Sequence, residues 1–230
     1  MITATMSLEE AVRNLPVTDT GEEVGCDLCG KNVDWRVRRS GGTRCDVCSK
    51  RAEWAVAWNR RHFKIPKRYE GLAEVTVELA VGSGYLLTGS AGTGKTYRGY
   101  ALLQRQLKVD PRLTIAAYSW PEVLLELRRS YNLPADQHNA AREVIDGLRK
   151  SDVVLIDDIG AEKITEGNSA WLRETLYVIL NTRHDELRQT LLTSNLGTER
   201  LREYLGDSIL SRIGAMCKIV EVVGRDRRLN

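Results

Sequence analysis

The sequence predicts an α/β fold: a five-stranded parallel sheet with helices on both faces, preceded by a small module held by four cysteines. Three observations predict it. A glycine-rich loop, Gly89-Ser90-Ala91-Gly92-Thr93-Gly94-Lys95-Thr96, stands between a short apolar run and a helix-period pattern. Further apolar runs alternate with helical segments after it, as a parallel sheet covered on both sides requires. Ahead of all this lie two Cys-x2-Cys pairs separated by 15 residues.

Composition sets the bounds. With 230 residues, 42% of them hydrophobic, the chain can bury one good core and carry a small appendage. It has no run of 18 uncharged apolar residues, so no membrane span is expected. Residues 1–23 contain Glu9, Glu10, Glu22 and Glu23 and no apolar stretch, which argues against a secretory leader. Five cysteines, four of them paired in sequence, point to metal binding in a reducing cytosol rather than to disulfides. The net charge of +3 is unevenly spread: Cys26 to Arg68 carries 12 Lys/Arg against 4 Asp/Glu. Such a basic segment suits nucleic acid or an acidic protein surface, or is simply a solvated face.

In chain order, residues 1–20 read as a tail and 21–63 as a zinc-binding module with a basic helix. Cys26, Cys29, Cys45 and Cys48 form C-x2-C-x15-C-x2-C, two tight turns that can each present a pair of soft ligands to tetrahedral Zn²⁺. Gly30 and Gly41-Gly42 supply turn conformations, and Asn32 to Arg38 alternates as a half-exposed strand does. A module this small cannot fold without the metal, and four thiolates leave no open position for catalysis. His62 lies beyond a complete ligand set and is expected to be exposed, while Cys217 is expected in a buried strand. Lys50 to Phe63 reads as a helix whose Trp54 and Trp58 either anchor a partner or pack on the chain itself. Ile65-Pro66 breaks the pattern within a linker, 64–71, and the main domain spans 72–230.

Gly84 to Thr88 is the strand before the glycine-rich loop, and Tyr97, Tyr100, Ala101, Leu103 and Leu107 mark the helix after it. The loop fits G-x-x-x-x-G-K-[ST], so backbone N–H groups of Gly89 to Thr96 and a helix N-terminus face a phosphate. Lys95 then meets the β and γ phosphates of ATP, and Thr96 ligates Mg²⁺. Leu113 to Tyr118 is the next strand, and Ser119-Trp120-Pro121-Glu122 reads as a capping box for the helix with Val123, Leu124 and Leu127. Val153 to Ile156 ends in Asp157-Asp158, a Walker B arrangement in which Asp157 orients Mg²⁺ and Asp158 polarises the attacking water. A helix with Leu172, Leu176, Ile179 and Leu180 follows. Thr190 to Asn195 delivers Asn195 at a strand end, where its amide can bond the γ-phosphate or the water. Arg212, shortly before the last strand (Cys217 to Val223), is either a second cation for transition-state charge or a surface ion pair.

Several segments together carry a resemblance. Ile65-Pro66-Lys67-Arg68-Tyr69, Leu155 to Gly160, Trp171 to Arg183, Thr193 to Leu196, Ser211-Arg212-Ile213 and Gly224-Arg225-Asp226-Arg227-Arg228 closely resemble DnaC/DnaI-type replicative helicase loaders. These share an AAA+ clade with IstB transposition helpers and DnaA initiators. Over residues 64–230 the resemblance implies an AAA+ ATPase that assembles around single-stranded DNA and delivers a hexameric DnaB-like helicase. It makes Asn195 sensor 1 and Arg212 an arginine finger toward a neighbouring subunit, and places a DNA-contacting helical element within Ser119 to Arg149. It also implies a cytoplasmic protein of a bacterial cell or phage-infected host. The four-cysteine module resembles the helicase-docking module of DnaI-type loaders. Two departures or limits accompany it. Asp158 stands where many AAA+ proteins have Glu, which implies slow hydrolysis, and the end at Asn230 implies no C-terminal lid. The alternatives are an IstB-like transposition helper and a nucleotide-gated binding protein with little turnover.

Overall fold

The computed structural model describes residues 25–31, 33, 42–72, 79–131, 133–134, 137–162 and 169–226. The chain divides into two compact units, Met1–Ser49 and Lys50–Asn230.

In the second unit the sheet strands are β1 (Tyr85–Thr88), β2 (Ile115–Ser119), β3 (Val153–Ile159), β4 (Gln189–Ser194) and β5 (Lys218–Glu221). All pairings are parallel, in the order β2-β3-β4-β1-β5. Around them lie α1 (Asp46–His62) from Lys50 onward, α2 (Lys95–Val109), α3 (Trp120–Ser130), α4 (Asn139–Lys150), α5 (Ser169–Asp185), α6 (Thr198–Leu205) and α7 (Asp207–Met216). Strand residues alternate between two cores, as a pleated sheet covered on both sides must. Leu87, Leu155 and Leu191 join Ala101, Leu102 and Leu103 of α2. Leu86, Val154, Ile156 and Leu192 join Leu124, Leu148, Leu176 and Ile213 on the opposite face. The five-stranded parallel sheet with helices on both faces is therefore present, and the helical periodicities at Leu172, Leu176, Ile179 and Leu180 all bury.

Four local expectations need correction. His62 is buried, not exposed, and its Nδ1 lies 2.8 Å from the Tyr118 hydroxyl. The second cysteine pair does not sit in a tight turn: Cys48 lies in the first turn of α1, which Asp46 opens with a favourable charge for the helix dipole. Ser119 precedes α3 as its N-cap but makes no side-chain cap bond; Pro121 at the second helical position has no N–H to offer. Cys217 is buried, but it caps α7 one residue ahead of β5, its thiol donating to Thr190 O at 3.4 Å. The strand expected over Asn32 to Arg38 lies, apart from buried Val33, outside the described residues.

From Lys50 onward, α1 packs on the sheet. Asn59 accepts the Ile115 N–H at 2.7 Å and donates to Leu113 O at 3.0 Å, and Trp58 Nε1 donates to Ser151 Oγ at 2.9 Å. Trp58 thus serves the chain's own packing, whereas Trp54 remains 45% exposed.

Arg183 was legible only as the basic end of a helix, yet it is fully buried. Its guanidinium donates to Leu148 O and Ser151 O at 2.9 Å each, to Thr190 Oγ1 at 2.9 Å, and to Gln189 O. One side chain therefore ties the end of α4 and the start of β4 to α5. Burial works against its charge, so the ring of carbonyls and the hydroxyl must satisfy it fully. Replacing Arg183 by Met strands these acceptors and should cost about 3 kcal/mol in urea unfolding. Arg183→Lys should recover only part of that, because an ammonium lacks the planar fork.

Candidate nucleotide site and cysteine cluster

Sheet order places the site. Because β4 lies between β1 and β3, the residue leaving β4 falls between the loop after β1 and the carboxylates of β3. A cavity of about 210 Å³ opens there, lined by Gly92, Gly94, Lys95, Thr96, Asp158 and Asn195 together with Arg68, Tyr69 and Tyr97. The loop needs its glycines: φ is 134° at Gly89, 76° at Gly92 and 93° at Gly94, all left-handed or beyond. A Cβ at Gly89 would meet Val222 O at 2.4 Å, and one at Gly92 would meet Asp226 Oδ1 at 1.8 Å. The tail after β5 thus lies against the loop, and only glycine leaves room for both.

Lys95 is buried, and its Nζ donates to Gly89 O and Ser90 O at 2.7 Å each. Thr93 Oγ1 adds a bond to Ser90 O at 3.0 Å, so the loop is braced from within. On β3, the Asp157 carboxylate accepts from Thr96 Oγ1 at 3.0 Å and from Thr193 Oγ1 at 2.6 Å, both at Oδ1. Carboxylate and hydroxyl oxygens are the hard donors that Mg²⁺ prefers, so Thr96 and Asp157 fit that ion.

Thr193 also explains Asp158. Ile156 pairs with Leu192 and Ile159 with Ser194, so two β3 residues stand opposite Thr193 alone. At this bulge Asp158 takes φ 60°, an uncommon value for a residue with a side chain. Its N–H donates to Thr193 Oγ1 at 2.9 Å, and its carboxylate joins the cavity wall. Ser90, Gly89 and Asn195 also border a second opening with Thr88 and Glu221. Sequence reading missed Thr193, Arg68, Tyr69 and Tyr97. The signals were the presence of Thr193 in Thr193-Ser194-Asn195, of Arg68 and Tyr69 in the Pro66 to Tyr69 segment, and of Tyr97 in the helix pattern after the loop. Tyr69 stacks on Tyr100 with centroids 4.9 Å apart, and Arg68 lies 4.7 Å over the Tyr69 ring. Arg212 is not brought to this cavity: on α7 it donates from Nη1 to His184 Nδ1 at 3.2 Å.

In the first unit the four Sγ atoms of Cys26, Cys29, Cys45 and Cys48 all lie within 4.8 Å of one another, with Cys29 and Cys45 at 3.8 Å. A tetrahedron with ~2.3 Å metal–sulfur bonds has edges of ~3.8 Å, so the cluster fits zinc. Cys26 N–H donates to Lys31 O at 2.7 Å and Gly30 N–H to Cys26 O at 2.9 Å, closing the first turn. Asp27 accepts from Thr43 Oγ1 at 3.1 Å and Arg44 Nε at 3.3 Å, tying the two pairs together.

The profile of the family described as IstB-like ATP binding protein matches residues 80–230, from ahead of β1 through the whole sheet. The chain belongs to this family. Among curated relatives of the IstB-like chain, the replicative helicase loader DnaI of Bacillus subtilis (strain 168) is 28% identical over 128 residues, 55% of this chain and 38% of the relative. The curated relatives matched are covered over 38% and 51% of their own length. Among solved structures, the DnaC helicase loader is similar with a TM-score of 0.55 and 20% identity, covering 69% of this chain and 100% of that one. The DnaI structure gives 0.54 and 24%, covering 71% and 94%. The fold of this IstB-like member is thus AAA+, as the sequence predicted. Among the described residues no helix is long and apolar enough to cross a membrane.

Burial, with a contribution from Asp158, pushes the Asp157 carboxyl from 3.8 up to about 6 against the pull of Thr193, Thr96 and Lys95. Between those values the folded chain holds a proton that the unfolded chain releases, so nucleotide-free protein loses stability as pH rises through that window. Asp157→Asn should flatten this slope and raise Tm at pH 7 by about 2–4 °C while abolishing Mg²⁺-dependent nucleotide binding. Thermal melts from pH 4 to 8 and titration calorimetry check both halves.

Proposed function

We propose that this chain is an ATP-dependent replicative helicase loader, its AAA+ core (72–230) acting on ATP and its four-cysteine module (21–63) holding a DnaB-like helicase for delivery onto single-stranded DNA. The observation that carries the reading is the convergence of Lys95, Thr96, Asp157, Asp158 and Asn195 on one site in a member of a family whose relatives include helicase loaders. Backbone N–H groups of Gly89 to Thr96 bind the phosphates, and Lys95 exchanges its loop carbonyls for phosphate oxygens. Mg²⁺, held by Thr96 and through Asp157, supplies charge neutralisation on the β and γ phosphates when bound. Asp158 polarises the attacking water, and its fixed position at the bulge sets the direction of approach. Its side chain is one methylene shorter than Glu, so turnover is slow. Asn195, as sensor 1, bonds the γ-phosphate or that water without adding charge. Arg212 reaches the ATP of a neighbouring subunit as an arginine finger, which makes self-association part of the catalytic cycle. Zinc on Cys26, Cys29, Cys45 and Cys48 shapes the docking module. The protein works in the cytoplasm.

A second reading, an IstB-like transposition helper, has the family description in its favour. One experiment separates the two. Full-length, zinc-loaded chain is mixed with the replicative helicase of the same genome and Mg·ATP, and ring-sized complexes are resolved by size. The loader reading expects a joint complex, lost with Cys26→Ser/Cys29→Ser while calorimetric ATP binding persists. No joint complex with wild-type chain overturns the loader reading. Metal analysis should give one zinc per chain, lost in the same double variant.

A further inference from the structure

His184 presents one nitrogen to two partners that cannot share it. Its Nδ1 lies 3.2 Å from Arg212 Nη1 and 3.4 Å from Asp185 Oδ1. Arginine has only donors, so a bond to it needs the Nδ1 lone pair, which a neutral imidazole with its proton on Nε2 provides. A carboxylate only accepts, so a bond to Asp185 needs a proton on Nδ1. One ring state serves Arg212 and the other serves Asp185. The ring is accessible to protons, with 32% of the His184 side chain exposed and Asp185 more open still at 61%.

We propose that His184 is the positioning residue for Arg212: neutral imidazole holds the guanidinium through Nη1, and imidazolium turns its proton to Asp185 and releases it. The proposal rests on the reading of Arg212 as the finger. Because Nη1 alone is engaged by His184, Nε and Nη2 keep their donors for a neighbouring phosphate, so the bond orients the arginine without consuming it. His184 closes the last turn of α5, and Arg212 sits mid-helix on α7, so two packed helices define the finger's direction. Other charged groups brought to this end of α5 include buried Arg183 beside His184, Arg149 of α4, which donates to Thr182 Oγ1 at 3.2 Å, and the Glu186–Arg188 pair in the following turn, with Asp152 3.6 Å from Arg188.

The test uses mixed full-length chains, so that one supplies the nucleotide site and the other the arginine. Arg212→Ala chain keeps its ATP site but lacks the finger. Lys95→Ala chain lacks the site but keeps the finger. Their mixture should hydrolyse Mg·ATP faster than either alone. Adding His184→Leu to the Lys95→Ala donor should lower kcat of the mixture about tenfold at pH 7.5 with KM unchanged, since misplacing a reacting group can cost up to about 10². His184→Gln, whose amide oxygen accepts from arginine without titrating, should restore the rate. It should also erase the fall in rate on acidification that the histidine donor shows. Unchanged kcat and an intact acid limb with the His184→Leu donor overturn the positioning role while leaving the finger in place. Failure of Arg212→Ala and Lys95→Ala chains to complement at all overturns the finger, and the positioning role with it.

Discussion

The site depends on a hydroxyl in the middle of the sheet. Thr193 donates to the Asp157 carboxylate and accepts from the Asp158 N–H, so one side chain on β4 sets the conformation of two on β3. Without the two-against-one pairing opposite Thr193, strict alternation along β3 would send Asp157 and Asp158 to opposite faces. At the bulge Asp158 joins the cavity wall while Asp157 stays bonded to Thr96 and Thr193 beside it, at the cost of a left-handed backbone at Asp158. Thr96 completes the arrangement from the other side by bonding the same Asp157 oxygen. Thr96, the Asp157 carboxylate, Thr193 and the Asp158 N–H are therefore one hydrogen-bonded unit, held in register by a parallel ladder.

What could be read in the chain was what local chemistry determines. The phosphate loop, the five apolar strands and the helix face from Leu172 to Leu180 announce themselves because their signals are short-range: glycines at fixed spacing, continuous apolar runs, a 3.6-residue period. Cysteine spacing was equally direct, and the sulfur positions match a tetrahedral edge. The features that escaped depend on which segments meet. Thr193 looks like any strand threonine until its neighbour strand is known to bulge. Arg183 looks like a favourable charge at a helix C-terminus, and only the fold reveals the carbonyls that surround it. His62 reads as exposed on a basic helix, yet α1 turns that face onto β2 and Tyr118. The proposed capping box fails for a smaller reason, since a proline in the first turn removes one of the donors the serine could have used.

The glycines of the phosphate loop illustrate how two demands converge on one residue type. Conformation requires positive φ, and space requires the absence of a Cβ because Val222 and Asp226 crowd the loop from the tail beyond β5. The last strand is short and largely exposed, but it brings a carboxylate to the loop that opens the domain. Distant ends of the fold thereby meet at the glycine-rich loop.

Asn59 carries an implication of its own. β2 is an outer strand of the sheet, and outer strands offer unpaired amide and carbonyl groups to any passing chain. By engaging Leu113 O and Ile115 N–H with its side-chain amide, Asn59 imitates a neighbouring strand at the point where that rim begins. The start of this border is thus closed to stray strand addition.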